Sequence, residues 1–94
     1  MWVKNINGTS QNTCKCGSWL EHWSRFSQDS RVICSVLGCR SVAEVGAHVQ
    51  LFLSTDERWY IIPVCQMHNM VQSTPLAIDD SYRLVSANVN KTCG

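Results

Sequence analysis

The sequence predicts a small α+β domain stapled by a metal: a thiol-bracketed knuckle, a β-hairpin and a short helix bearing a second ligand pair, with an amphipathic helix ahead of them. Three observations lead there. Six cysteines and three histidines fall among 94 residues, and in a chain without an export pattern such thiols bind metal more often than they pair. Cys34-x4-Cys39 and Cys65-x2-His68 each have the spacing of a metal half-site. Between them, an alternating stretch, a polar turn and an apolar return make the pattern of a hairpin.

Size and charge set the frame. The chain is expected to form a single domain, 1–94, and folding takes only about 60–68% of such a chain's surface out of water. With 45% hydrophobic and 16% charged residues, there is apolar material for one small core, which benefits from a staple. Eight Lys and Arg against seven Asp and Glu leave a net charge of +1. That excludes a strongly basic nucleic-acid coat or an acidic tail but leaves room for a local patch. Apolar runs such as Trp59 to Val64 are too short to span a bilayer, so no membrane partner is expected. The stretch from Met1 to Gly8 lacks the charged start and apolar run of a signal peptide, and the expected compartment is the cytoplasm.

The elements follow in order. Residues 1–6 read as a strand and 7–12 as a polar loop. A helix is predicted from Trp19 to Phe26, where Ser18 is a good N-cap with Glu21 three residues on. Trp19, Trp23 and Phe26 recur on one helical face, expected to lie on the core. Val32-Ile33 is a short strand leading into Cys34, and Gly38 lets the loop turn tightly before Cys39. From Val42 to Leu53, Val45, Ala47, Val49, Leu51 and Leu53 alternate with Gly46, His48, Gln50 and Phe52, a strand with one buried face. Residues 54–57 supply the turn and 59–64 the return. Pro63 cannot donate to a ladder, so pairing is expected to fail near it. A short helix is expected over 65–71, starting at the cysteine, and a last strand over 82–85.

Zinc takes four soft or borderline ligands in a tetrahedron. Cys65 and His68, at i and i+3 in the first turn of a helix, project to one side. Cys34 and Cys39 bracket a tight loop whose amides suit thiolate sulfur. Cys34, Cys39, Cys65 and His68 are therefore the candidate ligands of one Zn2+; the plain rival is a core helix in which Cys65 and His68 merely pack. Knuckle, hairpin and helix in this order are those of a treble-clef zinc finger, with its core at about residues 31–72. Cys14, Cys16 and Cys93 remain, near the two ends. The echo of Asn12-Thr13-Cys14 in Lys91-Thr92-Cys93 predicts two loops meeting at one object. That object is a candidate second Zn2+ site of Cys14, Cys16, Cys93 and a histidine, His22 first and His48 second. A disulfide from Cys14 or Cys16 to Cys93 is the rival. A structural zinc contributes on the order of 10 kcal/mol, comparable to the whole stability of a small domain.

Val45-Gly46-Ala47-His48-Val49, followed by Tyr60-Ile61-Ile62-Pro63-Val64-Cys65-Gln66-Met67-His68-Asn69, resembles the ββα core of HNH endonucleases over about residues 34–72. The resemblance implies that His48 stands at that family's general-base position and that Cys65 and His68 fall on its structural zinc pair. Two departures make it a likeness of scaffold rather than reaction. Asn69 stands where the family has its catalytic helix histidine. Asp56-Glu57-Arg58-Trp59 replaces the Gly-Gly and central Asn that orient the catalytic histidine. A metal-dependent nuclease needs a further ligand beside His48, so the resemblance is to a catalytically degenerate form.

Two functions of different class follow. The preferred one is a small structural-zinc binding module that recognises a protein or a nucleic acid. Trp2, Trp19, Trp23 and Trp59 give it more indole than a small core needs. The alternative is a divergent HNH-type metal-dependent nuclease, with His48 as general base and Asp56 or Asn69 as metal or orienting groups. Cys-His chemistry at Cys16 or Cys65 ranks last, because a thiolate occupied by metal is a poor nucleophile.

Overall fold

An antiparallel sheet carries the chain in the computed structural model, which describes residues 1–6, 17–71 and 74–88. Its strands are β1 (Trp2–Asn5), β2 (Val45–Leu51), β3 (Tyr60–Val64), β4 (Leu76–Ala77) and β5 (Val85–Ser86), in the spatial order β4-β1-β2-β3-β5. Two helices accompany it, α1 (Trp19–Ser27) and the single-turn α2 (Gln66–Asn69). The centre is the β2–β3 hairpin, in register from Val45 opposite Val64 to Val49 opposite Tyr60. Its β-branched residues suit a pleated, buried surface.

Alternation divides this sheet into two working faces. Val3, Ala47, Val49, Ile62 and Val64 share one; Gly46, His48 and Ile61 share the other. α1 lies across β2, β3 and β5 on the second face. Gly46 permits the approach, since a Cβ there would stand 2.4 Å from the Trp19 carbonyl carbon and 2.6 Å from the Leu20 nitrogen. α2 sits on the first face, where Asn5, opposite Val49, donates hydrogen bonds to the carbonyl of His68 in α2 and to that of Val71 just beyond it. No helix among the described residues is long and apolar enough to cross a membrane.

Ser18 caps α1 as its sequence requires, its hydroxyl accepting from the Glu21 amide at 3.1 Å. The expected aromatic stripe lies on the core in part: Trp23 is fully buried and Trp19 packs against the core, but Phe26 does not join them. His22, Trp23 and Ser27 face inward, while Phe26 is 37% exposed. The hydrophobic stripe is turned toward His22 because the Trp23 indole anchors the helix, donating from Nε1 to the Arg83 carbonyl at 2.7 Å.

Three strand expectations are also corrected. β2 ends at Leu51, and Leu53 lies in the turn with φ 56 and 91% exposure rather than on the inner face. Pairing continues past Pro63, which stands opposite Gly46. Its carbonyl points away from β2 to accept from the Ser35 amide at 2.9 Å; the nitrogen of an extended residue points the same way, so no ladder bond to β2 is lost. The last strand is Val85–Ser86. Tyr82 lies instead in a turn, its amide bonded to the Asp79 carbonyl and its hydroxyl to the Ile33 carbonyl. β4, paired to β1, is a further strand with too few residues to show a period.

Candidate metal centre

Backbone hydrogen bonds build the knuckle. An isolated bridge between Ile33 and Val42 closes its base. The Cys34 amide donates to the Ser41 carbonyl and the Cys39 amide to the Val36 carbonyl, both at 2.9 Å. Gly38 takes φ 81, a left-handed conformation that an L side chain resists. Outside the loop, Ser35 is tied to Pro63 and Asp79, and Leu37 to Ala77. The Cys34 side of the loop is thus held against the end of β3 and the β4 segment.

The second half-site begins where β3 stops. Cys65 is the N-cap of α2, at φ −73 and ψ 165, and the Asn69 amide closes the turn on its carbonyl at 3.0 Å. His68 follows three residues on and turns its Nδ1 back toward the sulfurs. Nδ1 lies 3.2 Å from Cys65 Sγ and 3.6 Å from Cys34 Sγ. The ligand atoms of Cys34, Cys39, Cys65 and His68 all lie within 4.8 Å of one another. Around a tetrahedral zinc, sulfurs at about 2.3 Å and a nitrogen at about 2.0 Å from the ion stand about 3.5–3.8 Å apart. Three thiols and one imidazole at this spacing are a donor set that fits Zn2+.

Electrostatics separates the sulfurs. Burial pushes the Cys34 thiol up to about 11, against hydrogen bonds from the backbone at Val36 and Cys65 that favour the thiolate. Cys39, at the half-exposed rim of the loop, lies below its ordinary value, chiefly through a hydrogen bond from the Ser41 backbone. A metal must displace the proton of the buried sulfur, which a doubly charged cation bound by four ligands can do.

His48 is not brought to this cluster. Alternation along β2 puts it on the α1 face, opposite to α2 and its Asn69. It is 7% exposed, edge-on to Trp19 at 4.5 Å and to Trp59 at 6.3 Å between ring centroids. Its Nε2 has no hydrogen-bond partner among the described residues. Burial, and after it the neighbouring His22, hold it below its ordinary value. Asp56, a candidate metal group beside His48, is occupied elsewhere. Its carboxylate accepts from the Arg58 amide and guanidinium and from the Tyr60 hydroxyl at 2.6 Å, which hold it well below the usual carboxylate range.

Of the candidate second site, Cys14, Cys16 and Cys93 lie outside the described residues. His22 is buried on α1 with Nε2 2.9 Å from the Ser86 carbonyl. Residue reading missed one participant in the first site. Asn5, buried on β1, reaches the carbonyls of α2 and of Val71 beyond it from more than sixty positions away. The available signal was a polar residue on the same strand face as Val3. No family model matches the sequence, and comparison with curated proteins and with solved structures returns no match.

Proposed function

We propose that the chain is a structural-zinc module of treble-clef architecture that serves recognition rather than catalysis. In this reading Cys34, Cys39, Cys65 and His68 clamp the knuckle to the helix after the hairpin. One observation carries it: two half-sites distant in sequence bring four zinc-type ligand atoms within 4.8 Å of one another. A bound Zn2+ would hold the sulfurs as thiolates and cross-link the two elements. With four protein ligands it keeps no open position for water, the arrangement of structural sites. The elements that bear the ligands also present apolar surface: Leu37, Met67 and Met70 are 64%, 66% and 76% exposed. Adaptable methionine surface and a net charge of +1 favour a protein partner over a nucleic acid. The nuclease alternative draws no such support, since His48 faces α1 and Asp56 is held by Arg58 and Tyr60.

Metal analysis of purified protein is the test. At least one zinc per chain is expected, with native Cys34, Cys39 and Cys65 shielded from thiol reagents, and Cys34→Ser should lose this zinc and most of the stability. A metal-free chain that is fully folded would end the reading. A second zinc equivalent that disappears in Cys93→Ser would assign the end cysteines to a site of their own.

A further inference from the structure

We propose that Asn5 is a positioning residue of the metal centre: its carboxamide seats α2 so that His68 reaches the sulfurs. The role presupposes the zinc reading above. α2 is four residues long and buries none of its side chains, so apolar packing does not hold it in place. Two tethers do. One is the Cys65–His68 pair, which reaches the knuckle through Cys34. The other is Asn5, 7% exposed on β1, whose Nδ2 donates to the carbonyls of His68 at 3.0 Å and of Val71, with the Asn69 carbonyl at 3.5 Å.

The orientation of this amide is forced by its surroundings. A carboxamide has one donor end and one acceptor end, and all three groups facing Asn5 at this end are carbonyl oxygens. Reversed, Oδ1 would meet three acceptors and no donor. The carbonyl that Asn5 holds and the imidazole that meets the sulfurs belong to the same residue, His68. Restraining the backbone therefore limits where Nδ1 swings. Hydrogen bonds that orient a ligand in this way are typically worth about 10–100-fold in metal affinity. β1 thereby joins the centre without supplying a ligand.

The experiment uses the full chain as wild type, Asn5→Ala and Asn5→Asp. Zinc affinity is read by competition with a chromophoric chelator, and ligand geometry by the visible spectrum of the Co2+-loaded protein. Asn5→Asp is nearly isosteric, yet it turns anionic oxygens toward the same carbonyls, so shape and hydrogen bonding are separated. Zinc binding should weaken about 10–100-fold in Asn5→Ala and further in Asn5→Asp. The ligand-field bands of Co2+ should shift in both, as the His68 nitrogen loses its place, while thiolate charge transfer persists. Folded variants that bind zinc within about twofold of wild type, with unchanged Co2+ spectra, would overturn the proposal. A purely structural role for Asn5 predicts that result, because it lowers stability with and without metal alike.

Should neither variant fold, hydrogen exchange of the wild-type Asn5 side-chain amide decides. In the zinc-loaded protein, exchange far slower than that of an exposed side-chain amide such as Gln66 supports the tether; exchange as fast as that one overturns it. A wild type that takes up no zinc removes the zinc reading and this role together. One that loads normally, with the Asn5 variants alike, removes this role alone.

Discussion

His48 is the residue whose chemistry and surroundings pull furthest apart. An imidazole suited to proton transfer is shut between two indoles, with no partner for Nε2 among the described residues, and its value is depressed below 6.5 by burial and by His22. In the folded chain it therefore binds fewer protons near and below that value than in the unfolded chain. Stability from His48 is accordingly present above about pH 6.5 and lost as pH falls. His48→Phe keeps an aromatic ring against Trp19 and Trp59 while removing both the titration and that nitrogen. Its thermal midpoint at neutral pH should equal or exceed that of wild type, and its fall between about pH 6.5 and pH 5 should be smaller. Equal falls in the two proteins would clear His48 as the source. Legibility divides at this same scale. Cys34, Cys39, Cys65 and His68 were readable because each half-site is a local spacing. The enclosure of His48 and the reach of Asn5 were not, because both depend on strands and helices meeting across the sheet.

At the scale of elements, the seat of α1 on the sheet depends on a missing side chain. A Cβ at Gly46 would press on the backbone of Trp19 and Leu20, and backbone cannot rotate aside as a side chain can. Gly46→Ala therefore has to lift α1 from β2, at a cost of about 2–3 kcal/mol. That corresponds to roughly 10–20 °C in the thermal midpoint of a chain this size. A loss below about 0.5 kcal/mol would mean that the helix is seated elsewhere. The glycine was visible as an interruption in a strand pattern, but its purpose required knowing that a helix crosses there. α1 itself and the β2–β3 hairpin were legible because capping, aromatic spacing and alternation are local. β4 and β5 have two residues each, too few for a period, and exist because β1 and β3 offer them open edges. The rotation of α1 toward His22 is likewise tertiary: Trp23 and its bond to Arg83 set the angle of the helix.

For the whole molecule, the question is whether a zinc taken up by the Cys34, Cys39, Cys65 and His68 cluster would hold the fold or merely decorate it. Cys34 and Cys65 are buried members of the same core as Val3, Ala47, Val49 and Val64, so the ligand cluster is continuous with the packing of the sheet. On the zinc reading proposed above, chelation would leave two thiols within that core without their cross-link and free α2, which has no buried residue of its own. A structural zinc contributes about 10 kcal/mol or more at neutral pH, against a total of about 5–15 kcal/mol for a domain of ordinary stability. Each kilocalorie corresponds to about 4–8 °C in a chain of this length. Chelation at neutral pH should therefore lower the thermal midpoint by about 20 °C or more, or unfold the chain outright. Added free zinc should raise the midpoint with the logarithm of its concentration, as mass action requires. Amide exchange then separates two ways of failing. If the core is one unit, Val49 and Ile61 in the hairpin lose protection together with Met70 and Val71 at α2. If only α2 and its neighbours loosen, protection in β2 and β3 survives chelation and the midpoint moves by less than about 5 °C. That second outcome would make the zinc a local latch on α2, and the sheet with α1 a fold that stands without it.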